Sequence, residues 1–336
     1  MQKIILQFIF LISISIGFSQ NKIKGTSYTH FQLIEKKDTI DFVVADTNLS
    51  IRKPLLLFCQ GSLPVPLFFD LGKKGLYPST LGNFNLNELN KWYHVAVVSM
   101  PKTPLVVGLD HLNKSYNYVK DTSNQMSFAN EYLKADFAEN YVNRANCVLN
   151  YLYKQPWINN DTIVLAGHSQ GTQVAVMLAS KNKKITRLGL FSYDPFGRVE
   201  KIIRQIRKDA LQGKITWEKA DSMMNERYEF NKAIHDQAFL NDNPSYMNWH
   251  SFAGPTIDKL LNLKIPIYVA YGTEDNSADL CDYLPLYFER AQKNNLLLKR
   301  YLHLEHNFFP ISNGRPDYKN GKWSTVMNDF IQWSIQ

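Results

Sequence analysis

Apolar runs ending in turn residues recur along this chain, separated by stretches of helical spacing. They are "PLLLFCQGS" (54–62), "YHVAVVSMP" (93–101), "DTIVLAGHS" (161–169), "RLGLFSYDP" (187–195), "IPIYVAYGTED" (265–275) and "LLLKRYLHLEH" (296–306). A run apolar on consecutive positions, not alternate ones, is the mark of a strand covered on both faces. Between Asp136 and Gln155 the apolar residues fall at Phe137, Tyr141, Ala145, Val148, Leu149 and Leu152, a helical period closed by Pro156. "GTQVAVMLASKN" (171–182) and a stretch from Trp323 to Trp333 read as further helices. Buried strands alternating with helices predict an α/β chain with a mostly parallel, doubly wound sheet. "SYTHFQLIEKKDTIDFVVAD" (27–46) reads as two strands joined at Lys36 to Asp38, an antiparallel hairpin at the sheet edge.

With 336 residues, 45% of them hydrophobic and 20% charged, one large core with insertions is accommodated. The N-terminal "MQKIILQFIFLISISIGFSQ" has Lys3, an apolar run from Ile4 to Phe18, and small residues Gly17 and Ser19. That order predicts a signal peptide over 1–19, cleaved near Ser19–Gln20, and an exported protein, periplasmic or secreted. The run is short for a membrane span, so no stable span is expected after cleavage. The formal charge of +8 is scattered and accompanied by no nucleic-acid motif, which predicts no nucleic-acid partner. Cys59, Cys147 and Cys281 are odd in number and have no metal spacing; buried thiols are expected.

Phe196 to about Leu263 breaks the alternation. Val199, Ile202, Ile203, Ile206 and Ala210 give one amphipathic helix. A second starts at Thr216, a capping residue, with Trp217, Ala220, Met223 and Met224 on one side. A helical insertion over 196–263 follows, leaving 20–195 and 264–336 as the core.

"GHSQG" (167–171) sits after a buried strand and before a helix. Gly167 and Gly171 then serve a turn too tight for side chains, which presents Ser169 at a helix N-terminus. The amide of Gln170 is placed to hold an oxyanion. A serine hydroxyl needs a base to take its proton. His168 adjoins the serine but lies on the turn itself, so its ring is expected to point away. His303 falls within the last strand run, flanked by Leu302 and Leu304, whereas His306 follows it, where a loop begins. His306 is the preferred base. The acid is sought on the loop after "YVAYG": Asp275 first, then Asp279, with Asp194 as the third choice. A second oxyanion donor is expected from "CQGSLPVP", at Ser62 or Gly61.

"GHSQG", "YGTED", "LEHNFF" and "FCQGS" together resemble the α/β-hydrolase superfamily over roughly residues 53 to 335. The resemblance implies the α/β-hydrolase fold, a triad of Ser169, Asp275 and His306, and a cap formed by the 196–263 insertion. Two positions depart from many relatives: Gln60 replaces a histidine before Gly61, and Thr172 replaces a small residue.

The expected activity is cleavage of a carboxylic ester, small or lipid-like, through an acyl-enzyme, with neither organic cofactor nor metal. An exported peptidase-like amide hydrolase is the nearest alternative, with Glu218, Glu226 or Glu229 as candidate holders of a terminal amine. Two readings of another class are a catalytically silent binding protein on the same fold and a glycan-binding surface at Tyr246, Trp249 and Phe252. Oligomeric state is not legible in the sequence.

Overall fold

The computed structural model describes residues 18–35, 38–46 and 48–336. Residues 1–17 of the segment read as a leader, and the hairpin residues Lys36 and Lys37, lie outside the described residues. The first strand begins at Phe18, two residues inside that leader.

Nine strands form the main sheet: β1 (Phe18–Lys22), β2 (Tyr28–Glu35), β3 (Asp38–Ala45), β4 (Lys53–Cys59), β5 (His94–Val98), β6 (Ile158–His168), β7 (Arg187–Phe191), β8 (Ile267–Gly272) and β9 (Leu296–Tyr301). Their spatial order is β1-β2-β3-β5-β4-β6-β7-β8-β9. The pairs from β5 to β9 are parallel. β1, β2 and β3 join them through antiparallel pairs. The predicted edge hairpin is thus present, widened by β1.

Alternation along each central strand explains its continuous apolar run. Leu55, Leu57, Ile163 and Leu165 face one layer, packed with Val148 and Leu149 of α1 (Ala138–Leu152) and Val174 and Leu178 of α2 (Gln170–Lys181). Leu56, Phe58, Val164 and Ala166 face the other. Val326, Phe330 and Ile331 pack in that second layer, from the C-terminal helix Trp323–Ser334. A strand buried on both faces needs apolar residues at every position.

Between β7 and β8 the chain is helical. α3 (Arg198–Leu211) and α4 (Trp217–Ala233) pack through Ile206, Ala210 and Ala220. Thr216 caps α4, its side chain accepting from the Lys219 amide at 3.2 Å. Trp217 departs from the expected apolar side: its ring is exposed and carries the Arg207 guanidinium 5.5 Å from its centroid. Three short helices, Gln237–Asp242, Met247–Ser251 and Ile257–Leu261, complete the segment.

Two further differences bear on the site. β9 stops at Tyr301, so His303, expected within the strand, lies beyond it. Its neighbour β8 ends at Gly272, which pairs with Tyr301, so the chain beyond has no ladder to join. Leu302 and His303 turn instead, His303 at φ 62°. A small second sheet of Phe68–Asp70, Leu76–Pro78 and Val106–Gly108 was not anticipated. No helix among the described residues is long and apolar enough to cross a membrane.

Candidate active site

β4 and β6 are adjacent in the sheet, yet the chain leaves them in opposite directions, to β5 on one side and β7 on the other. A crevice opens at the carboxyl ends of strands at such a switch point. Cys59 ends β4 there, and Ser169 follows β6.

Ser169 adopts φ 54° and ψ −127° between β6 and α2. A non-glycine residue in that region is strained by about 1–3 kcal/mol and must be held by its surroundings. Its amide donates to the Phe191 carbonyl at 3.0 Å, and its carbonyl accepts from the amide (3.0 Å) and hydroxyl (2.6 Å) of buried Thr172. The flanking glycines are required by space. A Cβ on Gly167 would stand 2.3 Å from the Gly171 carbonyl oxygen; one on Gly171 would stand 2.2 Å from the Cys59 carbonyl oxygen. The turn and the loop after β4 therefore touch backbone to backbone.

His306 lies in the loop after β9. Its Nε2 is 2.8 Å from Ser169 Oγ, and its Nδ1 is 2.9 Å from Asp275 Oδ2. A carboxylate opposite Nδ1 fixes the proton there, leaving Nε2 to accept from the serine hydroxyl. Asp275 is buried, 3% exposed, and also accepts from the Ser277 amide at 2.8 Å. Burial pushes its carboxyl up, but the His306 hydrogen bond and charge outweigh this and hold it below the usual carboxylate value.

The backbone of His306 is pinned as well. Its carbonyl accepts from Ser192 Oγ at 2.7 Å and from His168 Nε2 at 3.0 Å. The His168 ring lies against those of His306 and Trp323, each 5.1 Å away between centroids. Burial, reinforced by the charge His306 would carry, pushes His168 down to about 4, so it is a neutral donor near pH 7.

Two cavities flank Ser169 and His306. One, of about 460 Å³, is lined by Arg198, Lys201, Asn248 and Trp249 from the helical segment, with Asp136 and Asp194. The other, of about 400 Å³, is lined by Gln60, Gly61, Ser79, Thr80 and Asn83. The Gln60 amide bridges the Val98 carbonyl (3.2 Å) and the Thr80 hydroxyl (2.6 Å). Ser62 lies beside the site, and the Gly61 Cα points at Ser169: a Cβ there would be 3.7 Å from Ser169 Cβ, an ordinary contact. Gly61 is therefore not demanded by space as Gly167 and Gly171 are. Among the described residues no backbone carbonyl takes the amide protons of Gly61, Ser62 or Gln170.

The strand order, the strand–serine–helix turn and the helices on both faces decide the architecture. The chain has the α/β-hydrolase fold. No family profile matches it, and no curated protein matches it in sequence. Among solved structures, this α/β-hydrolase fold is similar to Pyrococcus horikoshii acylaminoacyl peptidase (TM-score 0.52, 10% identity, 95% of this chain and 42% of that one). It is also similar to Porphyromonas gingivalis dipeptidyl peptidase 4 (TM-score 0.52, 12% identity, 95% and 35%). The chain thus spans less than half the length of either. A likeness at such identity carries the fold and nothing finer.

Within this α/β-hydrolase fold, the second and third acid candidates stand away from His306. Asp279 forms an ion pair with Arg204. Asp194 accepts from the amides of Phe196 (3.4 Å) and Gly197 (3.3 Å), and burial pushes its carboxyl up to about 6. Glu218, Glu226 and Glu229 are exposed on α4 and line neither cavity. The aromatic cluster packs inward: Trp249 and Tyr246 meet Phe230 at 5.2 and 5.7 Å, and Phe252 is 1% exposed. Sequence reading missed Ser192, whose hydroxyl sits one residue past β7 at φ 54°. It also missed Met126, Phe128 and Tyr132, which close the first cavity.

Proposed function

We propose that the chain is a serine hydrolase that cleaves a carboxylic ester through an acyl-enzyme. The observation that carries this reading is the continuous hydrogen-bonded series Asp275–His306–Ser169, with the serine on a strained turn at the crevice.

In this mechanism Ser169 Oγ attacks the substrate carbonyl as His306 Nε2 takes its proton. Asp275 holds Nδ1–H and stabilises the imidazolium. The amides of Gln170 and of Ser62 or Gly61 hold the oxyanion, in a site where preorganised donors are worth more than in water. Collapse breaks the ester bond, and His306 returns the proton to the leaving alkoxide. Water then attacks the acyl-enzyme by the same steps in reverse and frees the acid. The helical segment 196–263 acts as a cap, and the leader-like N-terminus supports an exported protein.

The second reading is amide hydrolysis, favoured by the two peptidases named among the similar folds. A panel of p-nitrophenyl esters and aminoacyl anilides, assayed with the wild type and Ser169→Ala, separates the two. Activity confined to anilides removes the ester assignment. Failure of a fluorophosphonate to label Ser169 in the folded protein removes both. N-terminal sequencing of protein recovered outside the cytoplasm tests export and locates the cleavage point.

A further inference from the structure

Arg198 and Lys201 stand three residues apart on α3, so both project from one face of that helix. Both line the 460 Å³ cavity with Ser169 and His306. The ion pairs of the cap among the described residues are Arg204–Asp279 and Lys214–Asp209, and neither Arg198 nor Lys201 takes part in one. The Arg198 guanidinium donates instead to neutral amide oxygens, those of Gln170 and Asn248. It stacks against Trp249 and Phe252, 5.0 and 5.5 Å from their centroids.

This is a cation held rigidly with no carboxylate in direct contact; Asp136 and Asp194 act on it only through space. Asn248 Nδ2 donates to Asp136 at 2.7 Å, and Tyr141 donates to the same oxygen at 2.7 Å. Asp136 thus orients the amide whose oxygen fixes Arg198, one residue removed from it. A purely structural tie between cap and turn needs no charge, since a neutral donor would serve Gln170 equally. Desolvating a guanidinium is costly unless something anionic meets it.

We infer that the cap-side cavity is an anion subsite, and that the substrate carries a carboxylate bound there by Arg198 and Lys201. The inference deepens the hydrolase reading, and rests on it in so far as that carboxylate belongs to an ester or amide. Asp136 and Asp194 also line the cavity. Their carboxyl groups favour a monoanion over a phosphate dianion, which would meet them as a like charge.

The test is equilibrium binding of valerate and of its neutral isostere valeramide to the full chain carrying Ser169→Ala, followed by calorimetry. Charge-assisted hydrogen bonding predicts valerate binding roughly tenfold or more tighter. Arg198→Gln in the same background brings the ratio to about one, and Lys201→Met lowers it severalfold. Far-UV circular dichroism checks each variant's fold, and Lys201→Met serves where Arg198→Gln does not fold. Valerate binding no tighter than valeramide overturns the proposal, as does a ratio that survives both substitutions. Fluorophosphonate labelling of the Ser169 protein is run alongside. Absent labelling with intact valerate preference rejects the hydrolase reading alone; labelling without preference rejects the anion subsite alone.

Discussion

His168 donates through Nε2 to the main-chain carbonyl of His306, 3.0 Å away, from beneath the imidazole that faces Ser169. The histidine next to the serine thus touches the backbone of the histidine whose ring reaches the serine hydroxyl. Its ring is a prop, and a neutral one.

His168→Phe keeps the contact with Trp323 but removes one of the two donors to that carbonyl. The carbonyl keeps its Ser192 donor, so the loss is that of one hydrogen bond, about 0.5–1.5 kcal/mol. The expected result is a lower Tm and about tenfold lower kcat/KM with esters. The sign with pH follows from burial: the folded protein resists protonating His168 until about pH 4, while the unfolded chain takes the proton near 6.5. The wild type therefore loses stability as pH falls between those values. The Tm gap to His168→Phe should narrow over the same range, as thermal scans at several pH values would show.

Ser169→Ala should abolish labelling and lower kcat by about 10⁴-fold or more. Asp275→Asn removes the charge that fixes the Nδ1 proton, and a loss of about 10⁴-fold in kcat is expected from the wrong tautomer. Asp279→Asn, away from His306, should leave kcat within about threefold. Steady-state kinetics on a p-nitrophenyl ester distinguishes the three, and equal losses for Asp275 and Asp279 would contradict the assignment of the acid.

Gly171→Ala places a methyl against the Cys59 and Gln60 carbonyls, at 2.2 and 2.5 Å before relaxation. Backbone cannot swing away as a side-chain tip can. Overpacking of this kind costs about 1–3 kcal/mol. Urea denaturation should show that loss, and the folded fraction should hydrolyse esters poorly because the turn and the loop of Gly61 are pushed apart. Gly61→Ala, by contrast, should fold with near-normal stability.

Asp194 has its carboxyl raised to about 6 by burial, against 3.8 in the unfolded chain. Its contribution is fully present below the unfolded value and lost as pH rises through the folded one. Asp194→Asn keeps an oxygen for the Phe196 and Gly197 amides and removes the charge. Its Tm should match the wild type near pH 4 and exceed it above pH ~7. A gap that shrinks as pH rises would contradict this sign.

The features legible in the sequence were those with a strong period or a steric rule. The central strands are apolar at every position, which only a doubly covered sheet demands, and Gly167 and Gly171 mark a turn that admits no Cβ. The strands at Phe68–Asp70 and Val106–Gly108 are three residues long, too short to show any period. "YLHLEH" alternates like a strand, but the ladder depends on its partner β8 ending at Gly272, which is not visible in the segment itself. Ser192, Met126 and Phe128 sit in irregular backbone, where chain path alone decides what a side chain faces, and Tyr132 lies on the short helix Asn130–Ala135, which spans too few residues to show a period. Nothing in the sequence singles out Arg198, because its neighbours Gln170 and Asn248 are far away along the chain.

Ser169 and His306 border both cavities, so the two halves of a substrate divided at its carbonyl have separate rooms. Under the proposed chemistry, the leaving half empties one room while the acylated half remains tethered in the other. The vacated side then admits the next nucleophile. An alcohol small enough to fit among Ser79, Thr80 and Asn83 would compete there with water, so the same chain would also trade one ester for another in alcohol-rich solution.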